Sequence, residues 1–300
     1  MIYTKKRAFT AIKFTLFLKI VAQLLGFLVT VLLIRVLTEQ EFGAYNTFLS
    51  SMTVVGTVFS LGIGNTLQRY IPKYITSGDY DLAKKIYRIA FIVRFCSLSM
   101  LLLFGYLFRL ELANWFNVGP YVAALAPFFL VILLHFQITI LTTVLSSCLF
   151  QGVTYTAQLV LVVTKVFIYL LLGYLELGLM YLILADIVAY IFMLSVVLLG
   201  YWLHVKPLSG GRLQFDTTER KGILKYAAFN NLNDVGVASL GRDVDVMFLA
   251  SMESAESAGA YAFASRLAHS IKQISPVHYF IDVIRPLFFT LNPETDSRKT

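Results

Sequence analysis

The segment at residues 178–203, GLMYLILADIVAYIFMLSVVLLGYWL, is almost wholly apolar and contains one charged residue, Asp186. A helix needs about 20 such residues to cross the hydrocarbon of a bilayer, so this segment predicts a membrane-spanning helix. Seven other segments have a similar length and composition. They lie at residues 14–36, 42–64, 87–108, 123–148, 155–176, 226–250 and 258–281. We therefore expect an all-α integral membrane protein with about eight transmembrane helices.

The composition of the chain agrees with this class. Hydrophobic residues make up 58% of the sequence and charged residues only 14%, whereas a soluble domain carries about 25% charged residues. The net charge of +8 is explained by basic loops beside anionic lipid. A nucleic-acid partner is therefore not expected.

Basic residues gather in alternate gaps between the predicted spans. They lie in the N-terminal arm and at residues 69–88 and 206–225, whereas the gaps around Glu39 and Glu253 are acidic or nearly neutral. Cytoplasmic loops of membrane proteins are enriched in lysine and arginine. The pattern predicts a cytoplasmic N-terminus, and because no gap is long enough to fold as a domain, the function should reside between the helices.

A short repeat divides the chain. Gly43-Ala44-Tyr45 opens the second predicted span, Gly259-Ala260-Tyr261 opens the eighth, and the same offset relates Arg69 to Arg285. Both copies cross the membrane in the same direction, as a parallel repeat of a six-helix unit requires. The expected units are a six-helix N-terminal lobe, a cytoplasmic linker, and a partial second lobe of two helices and a polar tail, at residues 1–204, 205–225 and 226–300.

Three motifs in the first third of the chain carry a family resemblance. They are RVLTEQEFGAY at residues 35–45, SLGIG at 60–64 and RYIP at 69–72. Together they resemble the first two helices of the bacterial polysaccharide flippases, the Wzx-type members of the multidrug/oligosaccharidyl-lipid/polysaccharide exporter superfamily. The stretch from Arg242 to Tyr261 is similar to the start of that family's second lobe.

The resemblance implies two six-helix lobes around a central cavity in the bacterial cytoplasmic (inner) membrane. Alternating access would carry a polyprenyl-diphosphate-linked glycan from the inner to the outer leaflet for surface polysaccharides such as lipopolysaccharide O-antigen. The partners implied are membrane lipids and polysaccharide polymerase or assembly proteins. Because the sequence contains only two helices of a second lobe, we expect a fragment, a truncated product, or a chain that needs another chain.

Four basic residues within the predicted spans are candidates for a cavity that binds the diphosphate. They are Lys19, Arg94, Lys165 and Arg242. A charge at hydrocarbon depth is costly, and such residues are often functional. Lys19 and Arg94 lie near the inner ends of their spans, where snorkelling to the headgroups is the simpler interpretation. Lys165 lies nearer the middle of its span, where a cavity role and a structural role both stay open.

Three acidic residues are candidates for ion pairing or for coupling to an ion gradient. Asp186 matches Lys165 in depth, and a pair between them would either fix helix packing or open when a diphosphate competes for the ammonium. Asp245 is three residues from Arg242, so these two are expected to pair on one helix face. Asp234 has no obvious partner and is the better candidate for a proton or sodium site. No other cofactor is expected.

Motifs for catalysis are not found in the sequence. Asp243 and Asp245 match the DxD spelling of metal-dependent glycosyltransferases, but side chains two residues apart point about 200° apart on a helix and cannot share an ion. His135 is interpreted as a helix-packing residue. An enzyme is therefore not expected. The alternatives to a glycan flippase are a cation-coupled drug or metabolite exporter, a membrane glycosyltransferase or polymerase, and an assembly scaffold.

Overall fold

The computed structural model describes the backbone of residues 5–273 and the side chains of residues 17–268 other than Lys19. Within these bounds the protein is built from helices and contains no strand, which confirms an all-α protein. A 3-10 turn lies at Gly119–Tyr121. The α-helices are α1 (Lys5–Val36), α2 (Glu39–Val58), α3 (Ile63–Thr76), α4 (Tyr80–Leu107), α5 (Arg109–Trp115), α6 (Val122–Ser147), α7 (Gln151–Tyr174), α8 (Leu179–His204), α9 (Thr217–Ser239), α10 (Arg242–Met252) and α11 (Ala255–Gln273).

Four helices in the described part of the chain are long and apolar enough to cross a membrane. They are α4, α6 with the turn before it, α7 and α8. The pair α2 and α3 makes a fifth candidate span, bent by 55° where the two helices meet, and a shorter apolar stretch, Ile20–Val36, lies within α1. A multi-pass membrane protein is therefore confirmed, whereas the count of eight spans is not.

The prediction of one continuous helix at residues 226–250 is wrong. The chain forms α9 and α10 there, separated at Leu240 and Gly241. Gly241 has an extended backbone at the start of α10, with φ −94° and ψ 158°, which is incompatible with a continuous helix. The predicted eighth span coincides with α11 at its start. Its part beyond residue 273, like Arg285 of the repeat, lies outside the described residues.

Helix α6 lies at the centre of the bundle. It packs on α2, α3, α4 and α8, and it contributes the buried side chains of Phe128, Leu141 and Leu145. Helix α7 packs on α1 and α8. Helices α9, α10 and α11 pack on α2, which therefore lies between the core and the last three helices.

The connecting segments meet in two groups at opposite ends of the bundle. At one end, the segment 205–216 is held to the turn before α4, because Asp79 accepts hydrogen bonds from the backbone and guanidinium of Arg212 at 2.9–3.1 Å. At the other end, Glu41 at the start of α2 accepts one from the backbone of Leu179 at 3.0 Å. The basic gaps at residues 69–88 and 206–225 thus lie together at one end, and the gaps after α1 and α7 lie together at the other.

The two copies of the repeated tripeptide face each other where α2 and α11 cross. A Cβ added to Gly259 would lie 2.9 Å from the Cα of Gly43, and one added to Gly43 would lie 1.8 Å from the carbonyl oxygen of Ala255. Each helix begins at a hydroxyl cap, Thr38 for α2 and Ser254 for α11. The close approach of the two backbones requires a residue without a side chain on both helices.

Candidate functional site

The break between α2 and α3 brings polar groups into the interior of the bundle. Leu61 and Gly62 adopt left-handed backbone angles, with φ 52° and 63°, in the turn between the end of α2 and the start of α3. A Cβ at Gly62 would lie 2.1 Å from the carbonyl oxygen of Ala227 on α9. Glycine at this position thus permits both the turn and the close approach of α9.

Two carbonyl groups at the end of α2 are satisfied by side chains from other helices. The last carbonyls of a helix have no partner within the helix. Here the Gly56 oxygen accepts a hydrogen bond from Nη2 of Arg94 on α4 at 2.9 Å, and the Val58 oxygen accepts one from Nδ2 of Asn231 on α9 at 3.3 Å. The broken helix end is therefore held from two sides.

A cavity of about 580 Å³ adjoins this break. We call it the polar cavity. Helices α2, α3, α4, α6 and α9 all contribute to its wall. Its polar lining comprises Thr57, Ser60, Arg94, Thr139, Thr143, Asn233 and Asp234. It thus brings one basic and one acidic candidate, Arg94 and Asp234, to the same space.

The interpretation of Arg94 as a snorkelling side chain is wrong. Only 5% of the residue is exposed, and its guanidinium reaches across to the backbone of α2. The guanidinium lies 4.5 Å from the ring centroid of Phe136, in a cation–π arrangement, and binds the Gly56 carbonyl. These two partners are neutral, so a charge is held at the cavity wall beside neutral groups.

The polar face of α9 packs against the break. Asp234 does have a partner, contrary to the sequence-based expectation, because Nδ2 of Asn65 on α3 donates to its carboxylate at 2.9 Å. Ser60 donates to the side-chain oxygen of Asn231 at 2.8 Å. Asn231 and Asp234 of α9 thus provide polar partners for the end of α2 and the start of α3.

A second cluster, which we call the ionic cluster, lies deep between α2, α7 and α8. Asp186 is fully buried, and its carboxylate accepts from Nζ of Lys165 at 2.8 Å. It also accepts from the hydroxyl groups of Tyr45 at 2.6 Å and Tyr169 at 2.5 Å. The structure therefore brings Lys165 and Asp186 together, with two tyrosines completing the coordination of the carboxylate.

The ionic cluster continues towards α6 through an aromatic contact. The ammonium of Lys165 lies 5.2 Å from the ring centroid of Tyr190, whose hydroxyl is 3.1 Å from Nδ1 of His135. His135 thus makes a hydrogen bond between α6 and α8, as expected for a packing residue. Lys165 does not line the polar cavity. The two intramembrane cations Lys165 and Arg94 are therefore in different environments, one paired with a carboxylate and the other bound to neutral groups.

The expected pair of Arg242 with Asp245 is not what forms. Arg242 contacts its neighbour Asp243 at 2.8 Å, and Asp243 also accepts from Ser50 on α2 at 3.1 Å. Asp245 instead accepts from the hydroxyl of Tyr261 on α11 at 2.7 Å. The acidic side chains are engaged by the neighbouring helices instead, because α10 lies between α2 and α11.

Sequence reasoning did not identify several residues of the polar cavity. Thr139 and Thr143 are four residues apart on α6, a spacing that puts both on one face and could have signalled a polar wall. Asn65 follows Gly62 and Gly64 and could have signalled the break. Lys19 lies on α1, but its side chain falls outside the described residues.

Comparison with known proteins gives one result for the chain as a whole. The model of a family described as polysaccharide biosynthesis protein matches residues 11–291. No curated protein and no solved structure matches the chain. The match extends over both repeat copies and over every described helix except the first turns of α1. This multi-pass membrane protein therefore belongs to the polysaccharide biosynthesis protein family.

Proposed function

We propose that the protein translocates a polyprenyl-diphosphate-linked oligosaccharide from the inner to the outer leaflet of the bacterial cytoplasmic membrane. The observation that carries the proposal is a buried arginine, Arg94, on the wall of a cavity of about 580 Å³ between membrane-spanning helices. Membership of a polysaccharide biosynthesis family supports a glycan as the cargo. In this orientation the end formed by residues 69–88 and 205–216 faces the cytoplasm.

The present bonding of Arg94 suits an exchangeable anion site. Its guanidinium binds a neutral carbonyl and faces a neutral ring. A diphosphate oxygen is a stronger acceptor than either, because it carries a negative charge and can form a short, charge-assisted pair with the guanidinium. The planar guanidinium also matches phosphate in a two-point geometry. Arg94 is thus the residue that we assign to the lipid diphosphate.

The remaining candidates have supporting roles in this proposal. The ionic cluster joins α2 to α7 and α8, and we assign it to holding these helices together or releasing them during transport. Asp234, which lines the same cavity as Arg94, is the candidate for coupling to protons or sodium. Residues 1–204 would act as one lobe, with residues 226–300 as part of the second. The cargo would be handed to polymerase or assembly proteins.

Arg94 can be tested by following the lipid-linked intermediates in cells. The gene is deleted, the strain is complemented with wild type or Arg94→Gln, and intermediates are measured by mass spectrometry with a leaflet-specific label. Arg94→Gln should leave a complete diphosphate-linked repeat unit on the cytoplasmic side. Arg109→Gln is the matched control, because Arg109 is bonded to a backbone carbonyl in the same way but outside the cavity.

The same measurement separates the alternative functions. Incomplete glycans in the deletion strain would indicate a transferase or polymerase. Unchanged intermediates would favour a drug exporter or a scaffold and contradict the proposal. Normal export by Arg94→Gln, at wild-type protein level, would remove Arg94 from the mechanism while leaving the family assignment intact.

A further inference from the structure

A second cavity, of about 280 Å³, shares three of its helices, α2, α4 and α6, with the polar cavity. We call it the apolar cavity. Helices α2 and α4 both pack on α6 but make no extended contact with each other, so a groove runs between them with α6 as its floor. Arg94 bridges this groove to Gly56. The polar cavity lies on one side of that bridge, and the apolar cavity lies on the other, towards α5.

Neighbouring residues line the two cavities. On α2, Gly56 lines the polar cavity and Val55 lines the apolar one. On α6, Phe136 lines the polar cavity, and Ile132, one turn earlier, lines the apolar one. On α4, Leu102 lines the apolar cavity. It lies about 12 Å beyond Arg94 along the helix axis, given the rise of about 1.5 Å per residue in an α-helix. A molecule with a charged head and an apolar chain could therefore occupy both cavities.

The two hydroxyl groups in the lining of the apolar cavity already use their hydrogen-bond donors within α2. The hydroxyl of Thr47 donates to the Gly43 carbonyl at 2.9 Å, and that of Ser51 donates to the Phe48 carbonyl at 2.8 Å. A buried water needs two to four polar partners, and apolar cavities without them stay dry. A hydrocarbon chain, in contrast, would make the dispersion contacts that the side chains of the wall lack when they face empty space.

The lining and volume suit a short stretch of a prenyl chain. The wall is formed largely by aromatic and aliphatic side chains, including Phe48, Phe129 and Ile132, and the small residues Gly105 and Ala113 leave room beside them. An apolar cavity of about 150 Å³ can hold benzene, so this one has room for roughly ten carbons, or about two isoprene units.

We propose that the apolar cavity binds the part of the prenyl chain next to the diphosphate, while Arg94 binds the diphosphate of the same lipid. The proposal rests on the function proposed above and adds a chain site to it. A lipid of the inner leaflet has its head towards the cytoplasmic end and its chain towards the bilayer centre. The order from Arg94 to the apolar cavity follows that direction.

The experiment uses the full chain in nanodiscs of phosphatidylethanolamine and a short prenyl diphosphate with a photoreactive diazirine on its chain. Crosslinked peptides are identified by mass spectrometry, and affinity is measured by titration. The wild type should crosslink at residues of the apolar cavity. Gly105→Trp and Ser51→Leu, which fill the cavity from opposite walls, should each weaken binding by about tenfold, because several methylene groups lose their burial.

Leu103→Trp is the matched control for these variants. Leu103 lies on α4 beside the cavity lining but is 61% exposed and faces outwards, so its substitution should leave probe binding unchanged. The proportion of folded protein is checked for each variant by its thermal unfolding. Having variants on two helices keeps the test decisive if one of them fails to fold.

Each alternative outcome identifies what has failed. Crosslinks elsewhere, with unchanged binding by both filling variants, would overturn the chain site but leave the flippase proposal standing if Arg94→Gln still weakens binding. Cavity crosslinks insensitive to Arg94→Gln would refute a shared lipid. Loss of the crosslinks with equimolar phosphatidylglycerol would identify a general lipid site instead of a prenyl site. The absence of saturable probe binding would contradict both proposals.

Discussion

Nη2 of Arg94 on α4 lies 2.9 Å from the carbonyl oxygen of Gly56, two residues before the end of α2. A cation at the C-terminal end of a helix interacts favourably with the helix dipole, and it also satisfies a carbonyl that has no partner within the helix. The same guanidinium faces the polar cavity. An anion that draws Arg94 away from Gly56 would therefore also uncap α2 beside the 55° bend.

We expect Arg94→Ala to destabilise the protein by about 1–3 kcal/mol, because it leaves a buried carbonyl without its donor. Thermal unfolding in detergent, calibrated against denaturant, measures the change. Arg109→Ala should shift stability by less than about 0.5 kcal/mol, because Arg109 is only partly buried and bonds a carbonyl close to it in sequence. Equal effects of the two substitutions would mean that the cap of α2 contributes no specific stability.

Removing the charge of one member of the Lys165–Asp186 pair should destabilise the protein more than removing both charges. Asp186→Asn leaves the Lys165 ammonium buried without its counter-charge, a change that costs about 3–5 kcal/mol in buried pairs. We expect Lys165→Met combined with Asp186→Asn to recover much of that loss, because neither charge then remains. A thermodynamic cycle of the two single variants and the double variant gives the coupling energy.

Export by these variants separates packing from transport. If the cluster responds to the cargo, Lys165→Met and the double variant should both impair glycan export at normal protein level. Normal export by the folded double variant would restrict the cluster to a packing role.

Gly43→Ala should disrupt the crossing of α2 with α11. The added methyl group would lie 1.8 Å from the Ala255 carbonyl oxygen, so one backbone must move, and overpacking of this kind costs about 1–3 kcal/mol. Gly236→Ala on α9 is the control, since nothing lies within 4 Å of its Cβ position. That substitution should be neutral or stabilise the helix by up to about 1 kcal/mol. Thermal unfolding that ranks Gly43→Ala equal to Gly236→Ala would contradict the observed crossing.

The contact of Asp79 with Arg212 should weaken in acid. Hydrogen bonds from the Arg212 backbone and then from its guanidinium hold the pKa of the Asp79 carboxyl below its ordinary value. A lowered pKa means that the contact contributes stability above the ordinary value of about 3.9, and that this stability is lost as the pH falls through the lower folded value. Hydrogen exchange of residues 205–216, corrected for the intrinsic rate, should therefore rise only in strongly acidic buffer.

Asp79→Asn supplies the matching variant for that pH profile. It should raise the rate of amide hydrogen exchange in residues 205–216 already at neutral pH. It should also reduce the change of that rate with pH. Glu176→Gln, at the opposite end of the bundle, should retain the wild-type profile. A wild-type profile in Asp79→Asn would show that other contacts hold the segment.

The spans at residues 123–148, 155–176 and 178–203 could be predicted to within a few residues of α6, α7 and α8, because long apolar segments leave a chain few alternatives in a bilayer. The breaks between α2 and α3 and between α9 and α10 could not be predicted in this way. Residues 59–62 are as hydrophobic as their surroundings, and the left-handed turn at Leu61 and Gly62 is a local event that hydropathy does not record. The sequence shows that residues 230–245 are polar, but it does not show that some of them contact the end of α2.

The same distinction applies to the site. Lys165 and Asp186 could be paired from their depth on consecutive spans, because an isolated charge there is too costly. The tyrosines that complete the cluster are two among the 17 in the chain, and nothing local singles them out. The direction of the Arg94 side chain depends on the gap between α2 and α4, which belongs to the tertiary arrangement and not to the sequence of α4.

The contact of Gly43 with Gly259 has a mechanical consequence. Helices usually lock at preferred crossing angles because ridges of side chains on one fit grooves on the other. Two facing glycines provide no ridge at the point of closest approach, which lets the two backbones come together. Any rotation of α2 against α11 about this point would be amplified into a larger displacement at the far ends of the two helices.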